Sequence, residues 1–377
     1  MKKRIKKLKN TLREKNCDAF LMYDGSYINS TLYYFSSFLR NDPFIFFLNQ
    51  EGEPFIVVPE MEFERAKKES RVQVKSLAEY IDPGEEKRNL KAIKEIIKDS
   101  STESIGVPND FNLSTAEYLS NETELKTIDL SEIRTIKSKQ EIEKIQKAQK
   151  SAEAGMKAAR NKLEKTEVVN GELYLNGEPV TSEDIRYEIE TELLKRNCEA
   201  YDIIVSSGKE SADPHSSGTG VLSAGPIVID IFPRLKQERY YGDLTRSYCI
   251  TKNEEVNKLH KTVLEAQEKA LNNLKAGVTG EEIHNLVCSH FEKKGYGTLR
   301  KGDKEGFIHS TGHGVGLDVH EHPYLSENGD KLRPGQVVTV EPGLYLNDIG
   351  GVRLEDLVLI KENGIRNLTS IEKDLYL

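Results

Sequence analysis

An α+β protein is predicted, with a smaller α/β domain in front of it. Three observations predict this. Over the first 130 or so residues, helical and strand-like patterns alternate. From Ser131 the chain turns strongly helical. After that, helices are interspersed with apolar runs that suit mostly antiparallel strands. The predicted domains are therefore residues 1–130 and 131–377.

The elements follow in order. Residues 2–16 place Ile5, Leu8 and Leu12 at helical spacing under a Lys/Arg-rich surface. AFLMY, FIFFLN and PFIVVP read as buried strands, and SIGVP as a further short one. EKRNLKAIKEIIKD sets Leu90, Ile93, Ile96 and Ile97 on one helical face. STAEYLSN reads as a helix opening on its own Ser or Thr cap. In residues 131–165, Ile136, Ile142, Ile145 and Ala148 mark a buried helical stripe. VNGELYLNGEPV reads as a hairpin turning at Asn176–Gly177. A helix over 182–196 comes next, then strands in DIIVSSG, PIVIDIF and RYYGDLTRSYCI. Helices near 254–275 and 280–294 precede the last strands, GQVVTVEPGLYL and GGVRLEDLVLI. No strict internal repeat stands out.

Composition narrows the class. Charged residues make up 31% and hydrophobic ones 37%, the balance of a soluble globular chain. No apolar run approaches the roughly 18 residues of a membrane span. The basic N-terminus lacks the apolar core of a signal peptide. A net charge of −8 and the absence of a basic stripe with interleaved aromatics argue against a nucleic-acid partner. Cys17, Cys198, Cys249 and Cys288 are scattered, with no C-x-x-C pair, so a reducing cytoplasm is the expected compartment.

The chemistry lies in the C-terminal half. Asp230, Asp243, His313, Glu341 and Glu355 each sit in or beside a short apolar run, where an unpaired carboxylate is costly. Four carboxylates and an imidazole suit two divalent ions such as Mn, Co, Fe or Zn, whose charges balance those of the acids. Asp230 interrupts PIVIDIF, and Asp243 falls in the next strand-like run, so a hairpin could set them side by side. Structural alternatives stand beside this reading: a turn acid paired with Arg246, an N-cap, or a buried ion pair from Arg353 to Glu355 or Asp356. His309, His313, His320 and His322 crowd one stretch, where Gly312, Gly314 and Gly316 favour an extended chain passing close to a ligand. His215 lies in a Ser/Gly/Pro loop. Neither H-E-x-x-H, G-x-G-x-x-G nor G-x-S-x-G occurs.

Taken together, VIDIF…YYGDLTRSY, HSTGHGVGLDVHEHP, VEPGLY, GVRLEDLVL and SADPHSSG resemble the creatinase/prolidase/methionine aminopeptidase family with its pita-bread fold. The resemblance spans nearly the whole chain. It implies a pita-bread catalytic domain behind a creatinase-like α/β domain. It implies Asp230, Asp243, His313, Glu341 and Glu355 as ligands of two divalent ions, Mn or Co foremost, with Zn or Fe as alternatives. It implies Glu341 as proton acceptor, His309 or His320 as oxyanion stabiliser, His215 as a substrate-side histidine, and Tyr345 and Arg353 as substrate-binding residues. Methionine aminopeptidases usually lack the N-terminal domain and creatinase lacks the ligands, so the prolidase branch fits best. The expected activity is hydrolysis of an Xaa-Pro dipeptide by a cytoplasmic homodimer. Its alternatives are an aminopeptidase P acting on longer peptides and a non-catalytic binding protein. Two stretches depart from the family pattern: the long link PRLKQERYYG and the hairpin VNGELYLNGEP.

Overall fold

The structure, a computed structural model, describes residues 1–377 and divides into two compact units, Met1–Ile133 and Arg134–Leu377. In the first unit the elements run α1 (Lys2–Glu14), β1 (Ala19–Asp24), α2 (Ser30–Ser36), β2 (Phe44–Asn49), β3 (Phe55–Val58), α3 (Phe63–Glu69), β4 (Gln73–Ser76), α4 (Arg88–Ser100), β5 (Ser104–Pro108), α5 (Leu113–Leu119) and β6 (Glu124–Ile128). Six strands form one mixed sheet in the order β4-β3-β2-β1-β5-β6. β1, β2 and β3 pair antiparallel, whereas β1–β5, β5–β6 and β3–β4 are parallel. An aromatic knot of Phe20, Phe35 and Phe46, with ring centroids 5.6–6.4 Å apart, fills one face. α5 begins earlier than its sequence suggests, because Asn112, two residues before Ser114, is the cap: its side chain accepts from Thr115 N–H at 3.1 Å. No helix of the chain is long and apolar enough to cross a membrane.

The second unit begins with α6 (Lys139–Leu163), capped by Ser138 with Glu141 closing a capping box. The helix does not extend back to 131; Ser131–Arg134 is a single 3₁₀ turn. β7 (Glu167–Val169), β8 (Glu172–Leu175) and β9 (Glu178–Pro179) form a three-stranded meander rather than one hairpin. Both of its turns are Asn-Gly pairs at positive φ, at Asn170–Gly171 as well as Asn176–Gly177. α7 (Ser182–Lys195), β10 (Cys198–Glu199), β11 (Ile204–Ser207), β12 (Ile227–Ile231), β13 (Arg234–Leu235) and β14 (Leu244–Tyr248) follow. Then come α8 (Glu254–Asn273), α9 (Gly280–Lys293), β15 (Gly312–Gly314), β16 (Glu321–Leu325), β17 (Val337–Val340), β18 (Gly343–Leu346), β19 (Gly350–Arg353), β20 (Asp356–Ile360) and β21 (Ile365–Asn367).

An internal echo emerges here. Val-Thr-Ser-Glu-Asp-Ile opens α7 and Val-Thr-Gly-Glu-Glu-Ile opens α9, and Thr181 and Thr279 each cap with a capping box. Each of these helices follows a longer one, α6 or α8.

Two antiparallel sheets carry the candidate site: β11-β12-β14 and β16-β15-β17-β20-β21. The link Pro233–Gly242 is a short antiparallel excursion, in which Glu199 Oε1 accepts from Arg234 Nη2 at 2.7 Å and Arg239 Nη1 at 2.8 Å.

Candidate metal centre

Strand register explains how the acids meet. Asp230 on β12 lies opposite Thr245 on β14, and Asp243 immediately precedes β14. Val340 on β17 pairs with Asp356 on β20, so Glu341 and Glu355 lie at neighbouring strand ends. His313 is on β15, next to an irregularity in its pairing with β16. The sheets are stitched to each other at this level: Glu355 N–H donates to Thr245 C=O at 3.1 Å, and Thr245 Oγ1 donates to Glu355 Oε2 at 2.8 Å. Gly312 and Gly314 let neighbouring backbone approach closely, and Gly316 makes room for the Glu321 carboxylate. A Cβ on Gly312 would lie 2.1 Å from the Thr339 carbonyl oxygen.

The five predicted ligands converge on one cavity of about 500 Å³, which His215, His309, His320 and Arg353 also line. Ligand atoms of Asp243, His313 and Glu355 lie within 4.8 Å of one another. His313 Nε2 is 3.1 Å from Glu341 Oε1 and 3.8 Å from Asp243 Oδ2. Its Nδ1 donates to Gly314 C=O at 3.2 Å, which fixes the tautomer and turns Nε2 to the carboxylates.

The electrostatics call for cations. Burial, then Glu355 and the other acids, holds the Asp243 carboxyl far above its ordinary value. Burial, then Glu341 and Asp230, does the same to Glu355. Burial also lifts Asp230, against the pull of Arg353. Burial would raise Glu341 too, but the His313 hydrogen bond and charge bring it down to about 2. Arg353 is the one permanent cation among the cavity residues, which hold five acids, Asp202 and the four predicted ligands. Asp230 Oδ1 is buried with no hydrogen-bond partner. An oxygen-rich set with a single imidazole, an orphaned carboxylate oxygen and surplus buried negative charge fits divalent ions.

Around the acids runs a relay that the sequence did not disclose. Arg353 Nη2 donates to Asp230 Oδ2 at 2.7 Å, Nη1 to the Tyr345 hydroxyl at 2.6 Å and Nε to Thr245 Oγ1 at 3.2 Å. His309 Nδ1 donates to Ser310 C=O at 2.7 Å, so its Nε2 accepts from the Tyr345 hydroxyl at 3.1 Å. Burial keeps His309 neutral, with its pKa down to about 4, and pushes the Tyr345 phenol up to about 12.

The geometry places four of these side chains as follows. Arg353 pairs with Asp230, not with Asp356 or Glu355, and its Nε, Nη1 and Nη2 each donate to a protein oxygen while the side chain still lines the cavity. Tyr345 is 1% exposed and stands behind the cavity, with its hydroxyl held on both sides. His309 has both ring nitrogens occupied, whereas no hydrogen bond holds the His320 ring. The ring of His320 packs edge-on against His313 at 4.2 Å, and burial lowers its pKa. Arg246, weighed as a partner for Asp243, instead binds Asp356 Oδ1 at 2.9 Å and Glu355 C=O at 2.5 Å.

The model of metallopeptidase family M24 matches residues 143–362, and that of the creatinase/prolidase N-terminal domain matches residues 4–137. The chain belongs to metallopeptidase family M24. It is therefore a peptidase of a family whose chemistry uses divalent metal ions. A relative from Pyrococcus furiosus named Xaa-Pro dipeptidase is 32% identical over 388 residues, covering 100% of both chains. The solved prolidase of Pyrococcus horikoshii superimposes with a TM-score of 0.83 at 30% identity, covering 99% of each chain. The solved X-Pro aminopeptidase of Thermotoga maritima does so at 0.81 and 29%, covering 97% of this chain and 99% of its own.

Proposed function

We propose that the chain hydrolyses the Xaa-Pro bond of dipeptides, with Asp230, Asp243, His313, Glu341 and Glu355 holding two divalent ions, Mn or Co. The convergence of these five side chains in one cavity carries the reading. Full-length likeness to a named Xaa-Pro dipeptidase supports the substrate. A homodimer and a cytoplasmic location belong to the same proposal.

When bound, such ions supply Lewis acidity and bring the pKa of water toward about 7. The remaining steps fall to side chains. Glu341 takes the proton of the attacking water; the Thr339 hydroxyl holds its Oε1 at 3.1 Å. His320, neutral and free of other hydrogen bonds, donates to the developing oxyanion. His215, exposed on the Asp213–Ser217 loop at the cavity wall, orients the carbonyl or protonates the departing nitrogen. That nitrogen belongs to proline and carries no hydrogen in the peptide, so the leaving amine needs a delivered proton. Ile204, Phe232 and Val319 give the cavity apolar walls for the proline ring and an apolar first residue. The Arg353–Tyr345–His309 relay holds Asp230 in place.

One observation favours the second reading, an aminopeptidase P. With Arg353 engaged, no other Lys or Arg lines the cavity to meet a dipeptide carboxylate. A peptide-length series with Mn or Co separates the readings. A dipeptidase cleaves Xaa-Pro at least as fast as Xaa-Pro with trailing residues and acts weakly on Xaa-Ala. Faster turnover of the longer peptides favours the aminopeptidase, and equal rates on Xaa-Ala overturn the proline specificity.

A further inference from the structure

Two glutamines outside the cavity touch the backbone of the ligand segments directly. Gln149 on α6 and Gln267 on α8 are both 0% exposed. Gln149 Oε1 accepts from the Asp243 N–H at 2.7 Å, and its Nε2 donates to the Asp243 C=O at 2.8 Å. The side-chain amide thus pairs with both backbone groups of one predicted ligand, as a neighbouring strand would. Nε2 also donates to Thr369 Oγ1 at 2.9 Å, and that oxygen accepts from Leu357 N–H at 2.9 Å, two positions beyond Glu355.

Gln267 works on the other two acids of this group. Its Nε2 donates to Val340 C=O at 2.9 Å and to Leu354 C=O at 3.0 Å. These residues immediately precede Glu341 and Glu355. Its Oε1 is buried with no hydrogen-bond partner. An unpaired amide oxygen is costly in a dry interior, and an apolar side chain of the same size would avoid that cost. What an apolar residue lacks is the pair of N–H groups on the two strand ends.

We infer that Gln149 and Gln267 are positioning residues for the metal centre, fixing the backbone at Asp243, Glu341 and Glu355 so that three carboxylates keep coordination geometry. Metal–ligand distances tolerate only about 0.2 Å. This inference rests on the proposed metal reading, and it goes beyond the five ligands to the two helices that hold them.

The test is Co(II) titration of the full chain, read as the dissociation constant and the visible absorption bands of the bound ion. Gln149→Met and Gln267→Met remove the hydrogen bonds and keep the volume. Leu163→Ala on α6 and Val263→Ala on α8 are matched controls, since both side chains are fully buried packing groups. The Gln variants should weaken Co(II) binding at least tenfold and shift its bands. The controls should lower the melting temperature and leave affinity and spectrum as in the wild type. Gln variants with wild-type affinity and spectrum, whatever their melting temperature, overturn the inference. Should a Met variant not fold, Gln149→Leu or Gln267→Leu removes the donors without adding a titratable group and is read the same way. A wild-type chain that binds no Co(II) overturns the metal reading itself, which is a separate result.

Discussion

Replacing Arg353 with Met distinguishes a guanidinium that supports Asp230 from one that binds substrate. Arg353 is 3% exposed and donates to Asp230, Tyr345 and Thr245. Met fills similar space with no donor. It leaves the Asp230 carboxylate buried without its cation and the Tyr345 hydroxyl without its donor. Removing one partner of a buried ion pair costs about 3–5 kcal/mol. For a unit of this size each kcal/mol moves the midpoint by about 2–4 °C, so chelator-treated protein should melt roughly 6–20 °C lower. Saturating Mn or Co should narrow that gap, because cations then answer the same carboxylate. Thermal melts with and without metal measure both numbers. Kinetics supply the second readout: the KM ratio of Xaa-Pro to its amide should be the same in variant and wild type. An unchanged melt in chelator, with selective loss of affinity for the free acid, would refute the reasoning and return Arg353 to the substrate.

Three further outcomes follow from single sites. His260 is 6% exposed, its Nε2 has no partner, and burial takes its pKa down to about 4. Between pH 6.5 and about 4 the unfolded chain takes a proton that the folded one refuses, so stability falls with pH by about 3 kcal/mol and levels off below. His260→Leu should flatten that slope in urea midpoints taken at pH 7 and 4.5; an unaltered slope rules this out. His215→Ala and His320→Ala should each lower kcat by about 10²-fold with metal content intact; loss of metal in either, measured by mass spectrometry, would make that residue a ligand. In Gly242→Ala the new Cβ would lie 2.6 Å from the Gln149 backbone nitrogen and 2.7 Å from the Ala148 carbonyl carbon. This should cost about 1–3 kcal/mol and displace Asp243, and a variant with wild-type stability and turnover would contradict that packing.

Much of the scaffold was legible because local patterns determine it. Apolar runs such as FIFFLN and PIVIDIF formed strands, and the Ile93, Ile96 and Ile97 stripe buried one face of α4. The cavity acids were legible for the same reason, since a charged residue inside an apolar run stands out, and His313 was legible from the histidines crowded among glycines. Partner choice was not legible. Arg246 and Arg353 sit near several acids in sequence, and which acid each meets depends on how β14 lies against β19 and β20. Stitching of this kind, such as Arg353 N–H to Ser247 Oγ at 2.9 Å, leaves no mark in composition. The relay through Tyr345 and His309 is likewise a tertiary fact. Gln149 and Gln267 did leave a trace: each falls in the buried stripe of its helix, four positions after Ile145 and Val263, where an apolar residue is the rule. The first Asn-Gly turn of the meander, Asn170–Gly171, is equally visible in VNGELYLNGEP.

In the proposed function, five side chains hold two divalent ions on which turnover depends. Metal content per chain, measured beside Xaa-Pro hydrolysis through chelation and restoration, tests it most directly. Two ions per chain are predicted in active protein, with no turnover after chelation and recovery on adding Mn or Co. Asp243→Ala should lose at least one ion and nearly all turnover. Full activity in thoroughly metal-free protein would contradict the account.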